Sequence, residues 1–146
     1  MDHIDQQILE ELKQNGRASA AWLGKKVALS VPAVLERIRK LTQSGIILGY
    51  SAHIDRSKLG YKLLAFIFVR LDSSAEICHF REAVVCFPQV LECHHIAGEY
   101  DYLLKVTVED TAALEHFLTD TLKTIPGVTQ TNTQIVLATL KEALNA

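Results

Sequence analysis

Two prolines 38 positions apart, Pro88 and Pro126, each stand between a stretch of helical pattern and one of strand pattern. Residues 63–72 alternate like a strand, 75–87 follow a helical period, and 88–98 open a second strand at Pro88-Gln89-Val90. The pattern then recurs. Residues 102–109 are strand-like, 111–125 helical, and Pro126-Gly127-Val128 opens a fourth strand. Two β-α-β units in tandem predict a ferredoxin-like βαββαβ sandwich with both helices on one sheet face. The other face would leave an apolar patch exposed, so a second subunit is expected to cover it.

The preceding segment has a different texture. Asp2 can cap a helix with Asp5 three residues on, and Ile4, Ile8, Leu9 and Leu12 share one face before Asn15-Gly16. Ser19 caps a short second helix carrying Leu23 and Val27. Ser30 caps a third, with Pro32 in its first turn and an expected buried stripe of Val34, Leu35, Ile38 and Leu41. Two short helices joined by a tight turn, the second basic and with small residues at its start, suit a helix-turn-helix. Residues 45–54 form a short β-like run that would serve as a wing or linker. The expected class is therefore α+β: a winged helix-turn-helix over 1–54, a linker over 55–62 and the ferredoxin-like unit over 63–146.

Charge follows the same division. Residues 1–60 hold nine Lys and Arg against six acids, a balance of +3, and the remainder holds six against eleven, or −5. Only the front is suited to a polyanion, which the overall net charge of −2 conceals. A membrane helix needs roughly 20 apolar residues, and no such run occurs; the acidic start does not resemble a secretory signal. The cytoplasm is the expected location. Cys78, Cys86 and Cys93 form an odd set without C-x-x-C spacing and read as reduced thiols.

Seven fragments in this order resemble one family: I-D-x-x-I-L-x-x-L (4–12), N-G-R (15–17), A-L-S (28–30), L-E-R-I-R-K-L (35–41), S-G-I-I-x-G-Y (44–50), E-C-H-H-I-A-G-E-Y-D-Y-L-L-K-V (92–106) and I-P-G-V (125–128). The chain resembles the Lrp/AsnC (feast/famine) transcriptional regulators. That resemblance implies a DNA-binding front domain, a sensor domain for amino acids or related small effectors, and homodimers that assemble into octamers. Trp22 and Gly24 depart from the usual pattern of the second helix, as do Lys123 and Gln134 in the sensor.

Carried onto this chain, the resemblance makes the third helix the recognition helix. Ser30, Ala33, Arg37 and Arg39 are expected at bases or nearby phosphates of double-stranded DNA, and Lys25, Lys26 and Lys40 on the backbone. Arginine offers a planar fork for guanine edges and lysine a point charge for phosphate. Gly98, Glu99, Tyr100 and Asp101 match the family's effector loop, in which backbone N–H groups could hold a carboxylate and Asp101 an ammonium. The competing reading of those four residues is a tight hairpin in which Asp101 caps backbone N–H groups. Thr121, Thr131 and Thr133 match effector-responsive positions and could complete the site within the chain or across an interface.

No metal or cofactor is called for. Strand alternation sends His94 away from Cys93 and His95, leaving at most two ligands together. No P-loop, G-x-G-x-x-G or H-E-x-x-H occurs. The enzymatic alternative is a sirohaem-decarboxylase-like protein of the same architecture, which would use His79, His94, His95 and His116 on a carboxylated tetrapyrrole.

Overall fold

The computed structural model describes residues 1–72, 74–143 and 145. The chain divides into two compact units, one built on Met1–His53 and one on Ile54–Glu142. Among the described residues no helix is long and apolar enough to cross a membrane.

The first unit contains α1 (His3–Gln14), α2 (Ala20–Val27) and α3 (Val31–Gln43). Each start is capped by a side chain that satisfies an otherwise unpaired N–H: Asp2 accepts from Asp5, Ser19 from Trp22 and Ser30 from Ala33. Ile8, Leu23, Val27 and Val34 form the core, with Ile4, Leu12 and Ile38 packed around it. Leu35 is not part of that stripe and is 53% exposed. One residue along an α-helix turns the side chain by about 100°, which carries Leu35 off the face that Val34, Ile38 and Leu41 share. Residues 45–54, expected as a β-like wing or linker, form no strand. After α3 the N–H groups of Ile46 and Ile47 return to the Leu41 carbonyl at 3.0 and 3.1 Å. Ile47 is buried there, whereas Leu48, Tyr50 and Ile54 are exposed.

The second unit is a four-stranded antiparallel sheet of β1 (Leu63–Leu71), β2 (Val90–His95), β3 (Tyr102–Val108) and β4 (Val128–Ile135), in the order β2-β3-β1-β4. That order is the ferredoxin-like βαββαβ topology. Ala65, Ile67 and Val69 of β1 and Tyr102, Leu104 and Val106 of β3 form a buried face with Phe80 and Val84 of α4 (Ile77–Val84), Leu114 of α5 (Thr111–His116), and Phe117 and Leu122 beyond it. Leu64, Phe66, Phe68, Arg70 and Leu103 alternate onto the other face and are half-buried.

Two elements differ from the sequence reading. The continuous helix expected over 111–125 ends at His116 and continues as a wider π turn, Phe117–Thr121, and a 3-10 turn, Leu122–Thr124. Phe117 and Leu122, five residues apart, are both buried; the looser i→i+5 turn keeps them on one face where an α-helix would splay them. Within the stretch read as a linker, Arg56–Leu59 form a 3-10 turn. Arg56 pairs with Glu142, which also meets Lys105 of β3.

Candidate nucleic-acid interface and effector loop

Helix α3 turns Val34 and Leu41 inward and leaves Val31, Pro32, Leu35, Glu36, Arg39 and Lys40 exposed, with Ala33 half-buried. Ser30 is exposed at its start, its Oγ accepting the Ala33 N–H at 3.4 Å. The Arg39 guanidinium forks onto Glu36, Nε to Oε2 at 2.8 Å and Nη2 to Oε1 at 2.7 Å, and Lys40 lies 3.7 Å from the same carboxylate. These partners, Arg39 first, hold the Glu36 carboxyl down at about 2. All three side chains are in solvent, where such a pair is weak and a DNA phosphate can replace Glu36. On α2, Lys25 is exposed, while Lys26 lies 3.7 Å from Glu11 and 5.1 Å from the centre of the Trp22 ring. Trp22 stays partly exposed beneath that cation rather than packing into the core.

Arg37 does not share the outward face. Its Nη1 donates to Asp2 Oδ2 at 2.8 Å and Asp5 Oδ1 at 2.7 Å. The two acids are the reciprocal capping pair of α1, each accepting the other's backbone N–H at 2.9 Å. Those backbone bonds, and then Arg37, pull both carboxyls below their ordinary value of 3.8. Helical spacing turns Arg37, expected at bases or nearby phosphates, toward α1, where it ties α3 to the start of the chain.

Arg37→Ala is expected to lower the thermal midpoint at neutral pH. Because both carboxyls titrate below 3.8, their contribution is complete above that pH and fades as pH falls through the depressed values. Melting curves of the two proteins should converge in acid. A difference as large at about pH 2 as at neutrality would remove the ion pair as its cause.

The effector-loop residues form the connection between β2 and β3. Gly98 adopts φ 141°, a value that side chains resist. The Glu99 carbonyl accepts Arg70 Nε at 2.9 Å and Nη2 at 2.5 Å, and the Arg70 guanidinium lies 5.4 Å from the centre of the Tyr100 ring. Tyr100 in turn sits 5.5 Å from Phe68. Asp101 Oδ2 accepts the Leu71 N–H at 2.7 Å, and its own N–H donates to the Val69 carbonyl at 2.9 Å. The hairpin is thus fastened to the end of β1, and one Asp101 oxygen caps backbone as the competing reading required.

The three threonines lie on the other side of the sheet. Thr131 and Thr133 stand opposite Val69 and Ile67 in the β1–β4 register, so they share the face that the helices cover. Thr121, half-buried, ends the π turn among those helices. Tyr100 packs with Phe68 on the open face. A single chain therefore does not gather Gly98–Asp101 and the threonines around one ligand. Arg70, which organises the loop, was missed by sequence reasoning; its signal was the alternation that sets it with Phe66 and Phe68, opposite the buried Ile67 and Val69.

The histidines are similarly dispersed. His94 faces Glu92 at 3.1 Å, His95 stacks on Tyr102 with ring centres 5.0 Å apart, and His116 meets Asp120 at 2.6 Å. Arg81 Nε donates to the Tyr102 hydroxyl at 2.7 Å. Cys93 is half-buried, and burial raises its thiol pKa. Among the described residues no three His, Cys, Asp or Glu side chains gather as metal ligands.

Residues 1–42 match the AsnC-type helix-turn-helix domain and residues 64–145 the Lrp/AsnC ligand binding domain. The chain belongs to the Lrp/AsnC family. It is 39% identical over 145 residues to the leucine-responsive regulatory protein of Escherichia coli K12, covering 98% of this chain and 88% of that protein. A Neisseria meningitidis transcriptional regulator, solved as its L-methionine complex, superposes with a TM-score of 0.94 at 34% identity, over 99% of this chain and 94% of the other. The feast or famine regulatory protein of Mycobacterium tuberculosis, also complexed with L-methionine, gives 0.92 at 32%, over 99% and 97%. This Lrp/AsnC member is a DNA-binding transcriptional regulator, and the decarboxylase alternative is set aside because its relatives are regulators rather than enzymes.

Proposed function

We propose that this regulator grips duplex DNA as a dimer, with α3 in the major groove and α2 across the backbone, and that an amino acid bound by the sensor alters that grip. One observation carries the DNA half: within the helix-turn-helix unit, the outward face of α3 presents Arg39 and Lys40 in solvent, with Lys25 exposed on α2. Ser30 can add a phosphate contact from the start of α3, and Ala33 allows close approach of the backbone. Arg37 positions α3 from behind. The reader is assigned to 1–54, the connection to 55–62 and the sensor to 63–146. DNA as partner supports a cytoplasmic location.

For the sensor, the half-buried Leu64, Phe66, Phe68 and Leu103 on the open sheet face support pairing with a second copy, since burying apolar area drives association. The two L-methionine complexes support an amino acid as effector. Gly98, Glu99, Tyr100 and Asp101 supply one wall of that site. Thr121, Thr131 and Thr133 lie on the helix-covered face, so they reach that site only from a copy outside the open-face pair, in an assembly up to an octamer. A ligand acts there by favouring one assembly over another.

Fluorescence anisotropy on a labelled random-sequence duplex tests the DNA half. Binding should weaken steeply as salt rises, because each phosphate neutralised releases counterions. Failure to bind any duplex at low salt would end this reading.

A further inference from the structure

The outward face of α3 is not uniformly charged. Val31, Leu35 and Arg39 follow one another at four-residue spacing, so the three side chains form one row along the helix. Val31 is 41% and Leu35 53% exposed, although Val34, Ile38 and Leu41 of the same helix serve the interior. Two branched aliphatic side chains held in water beside Arg39 and Lys40 add little to the stability of a unit this small. Single exposed apolar residues are ordinary. A pair in register with cations, on the turn-preceded helix of a helix-turn-helix, is matched to a surface that is anionic at its rim and apolar at defined points.

The major groove is such a surface. Phosphates line its edges, and among the base edges only thymine presents an apolar group, its C5 methyl. Recognition helices bring their amino-terminal residues to base edges, and Val31 and Leu35 lie in the first two turns of α3. We infer that Val31 and Leu35 are specificity-determining residues that read thymine methyl groups, while Lys25, Arg39 and Lys40 supply sequence-independent affinity through phosphates. The inference rests on the proposed docking of α3 in the major groove and adds which bases that helix selects.

Deoxyuridine, which pairs as thymine does but lacks the methyl, provides the test. A duplex recovered from a random pool by the full-length protein is remade with deoxyuridine at each thymine in turn, and affinities are measured for wild type, Leu35→Ala, Val31→Ala and Leu35→Met. Wild type should lose about three- to fivefold at one or two thymines per half-site, the value of one buried methyl. Leu35→Ala or Val31→Ala should bind the thymine duplex correspondingly less well and no longer distinguish uracil at its own position, with the salt dependence unchanged. Leu35→Met, which keeps an apolar side chain, should retain part of the discrimination. Equal wild-type affinity for uracil and thymine at every position would overturn the inference, as would undiminished discrimination in both alanine variants. Recovery of no duplex would instead overturn the DNA-binding reading beneath it, a distinguishable result.

Discussion

Replacing Gly24 with alanine should destabilise the amino-terminal unit by about 1–3 kcal/mol, the usual cost of overpacking a close contact. Helix propensity alone gives the opposite sign, since alanine is favoured over glycine inside a helix by roughly 0.5–1 kcal/mol. Packing decides. A β-carbon at Gly24 would lie 2.6 Å from the Leu29 carbonyl oxygen and 3.7 Å from Val34 Cγ2. The oxygen is backbone and cannot rotate away. Leu29 also donates its N–H to the Gly24 carbonyl at 2.9 Å, and Ala28 between them holds a left-handed conformation at φ 54°. Relief of the clash therefore requires α3 to move as a body relative to α2, and the DNA affinity of Gly24→Ala should fall together with its melting temperature. A variant that melts higher than wild type would show that propensity prevails and that the turn is slack.

The second large effect is expected at Asp101, where alanine and asparagine should behave differently. Asp101→Ala removes the acceptor of the Leu71 N–H and loosens the β2–β3 connection at the end of β1, at a cost of about 1–3 kcal/mol for an unpaired N–H. Asparagine can still accept that N–H through its amide oxygen, so Asp101→Asn should melt close to wild type. Both variants lack the carboxylate that would meet an ammonium, and both should lose the thermal stabilisation that the proposed amino-acid effector is expected to give the wild type. Stabilisation of Asp101→Asn by the same amino acid, to the wild-type extent, would confine Asp101 to holding the hairpin.

The βαββαβ order was legible because period-two and period-3.6 patterns alternate around Pro88 and Pro126, and the helix starts because Asp2, Ser19 and Ser30 are strong caps. Arg37 and Arg39 could not be separated by residue type: both are arginines on one helix, and only the rotation between them turns one toward Asp2 and Asp5 and the other outward. Leu35 carries a related ambiguity, since hydrophobicity identifies a candidate for burial without fixing which neighbour is already there. The irregular backbone over 45–54 and the π turn at Phe117–Thr121 depend on backbone pairing and on tertiary burial of Leu122, neither of which leaves a local signature. Thr131 and Thr133 were legible as strand residues, but their separation from Tyr100 followed only from the β1–β4 register.

The most direct measurement is the affinity for one selected duplex as a function of salt, compared among wild type, Arg39→Ala, Lys25→Ala and Lys123→Ala. Loss of one phosphate contact should flatten the log–log slope by about one in each of the first two variants, while Lys123→Ala, altered in the sensor unit, should keep the wild-type slope. Unchanged slopes for both Arg39→Ala and Lys25→Ala would contradict the assignment of DNA binding to the outward faces of α2 and α3.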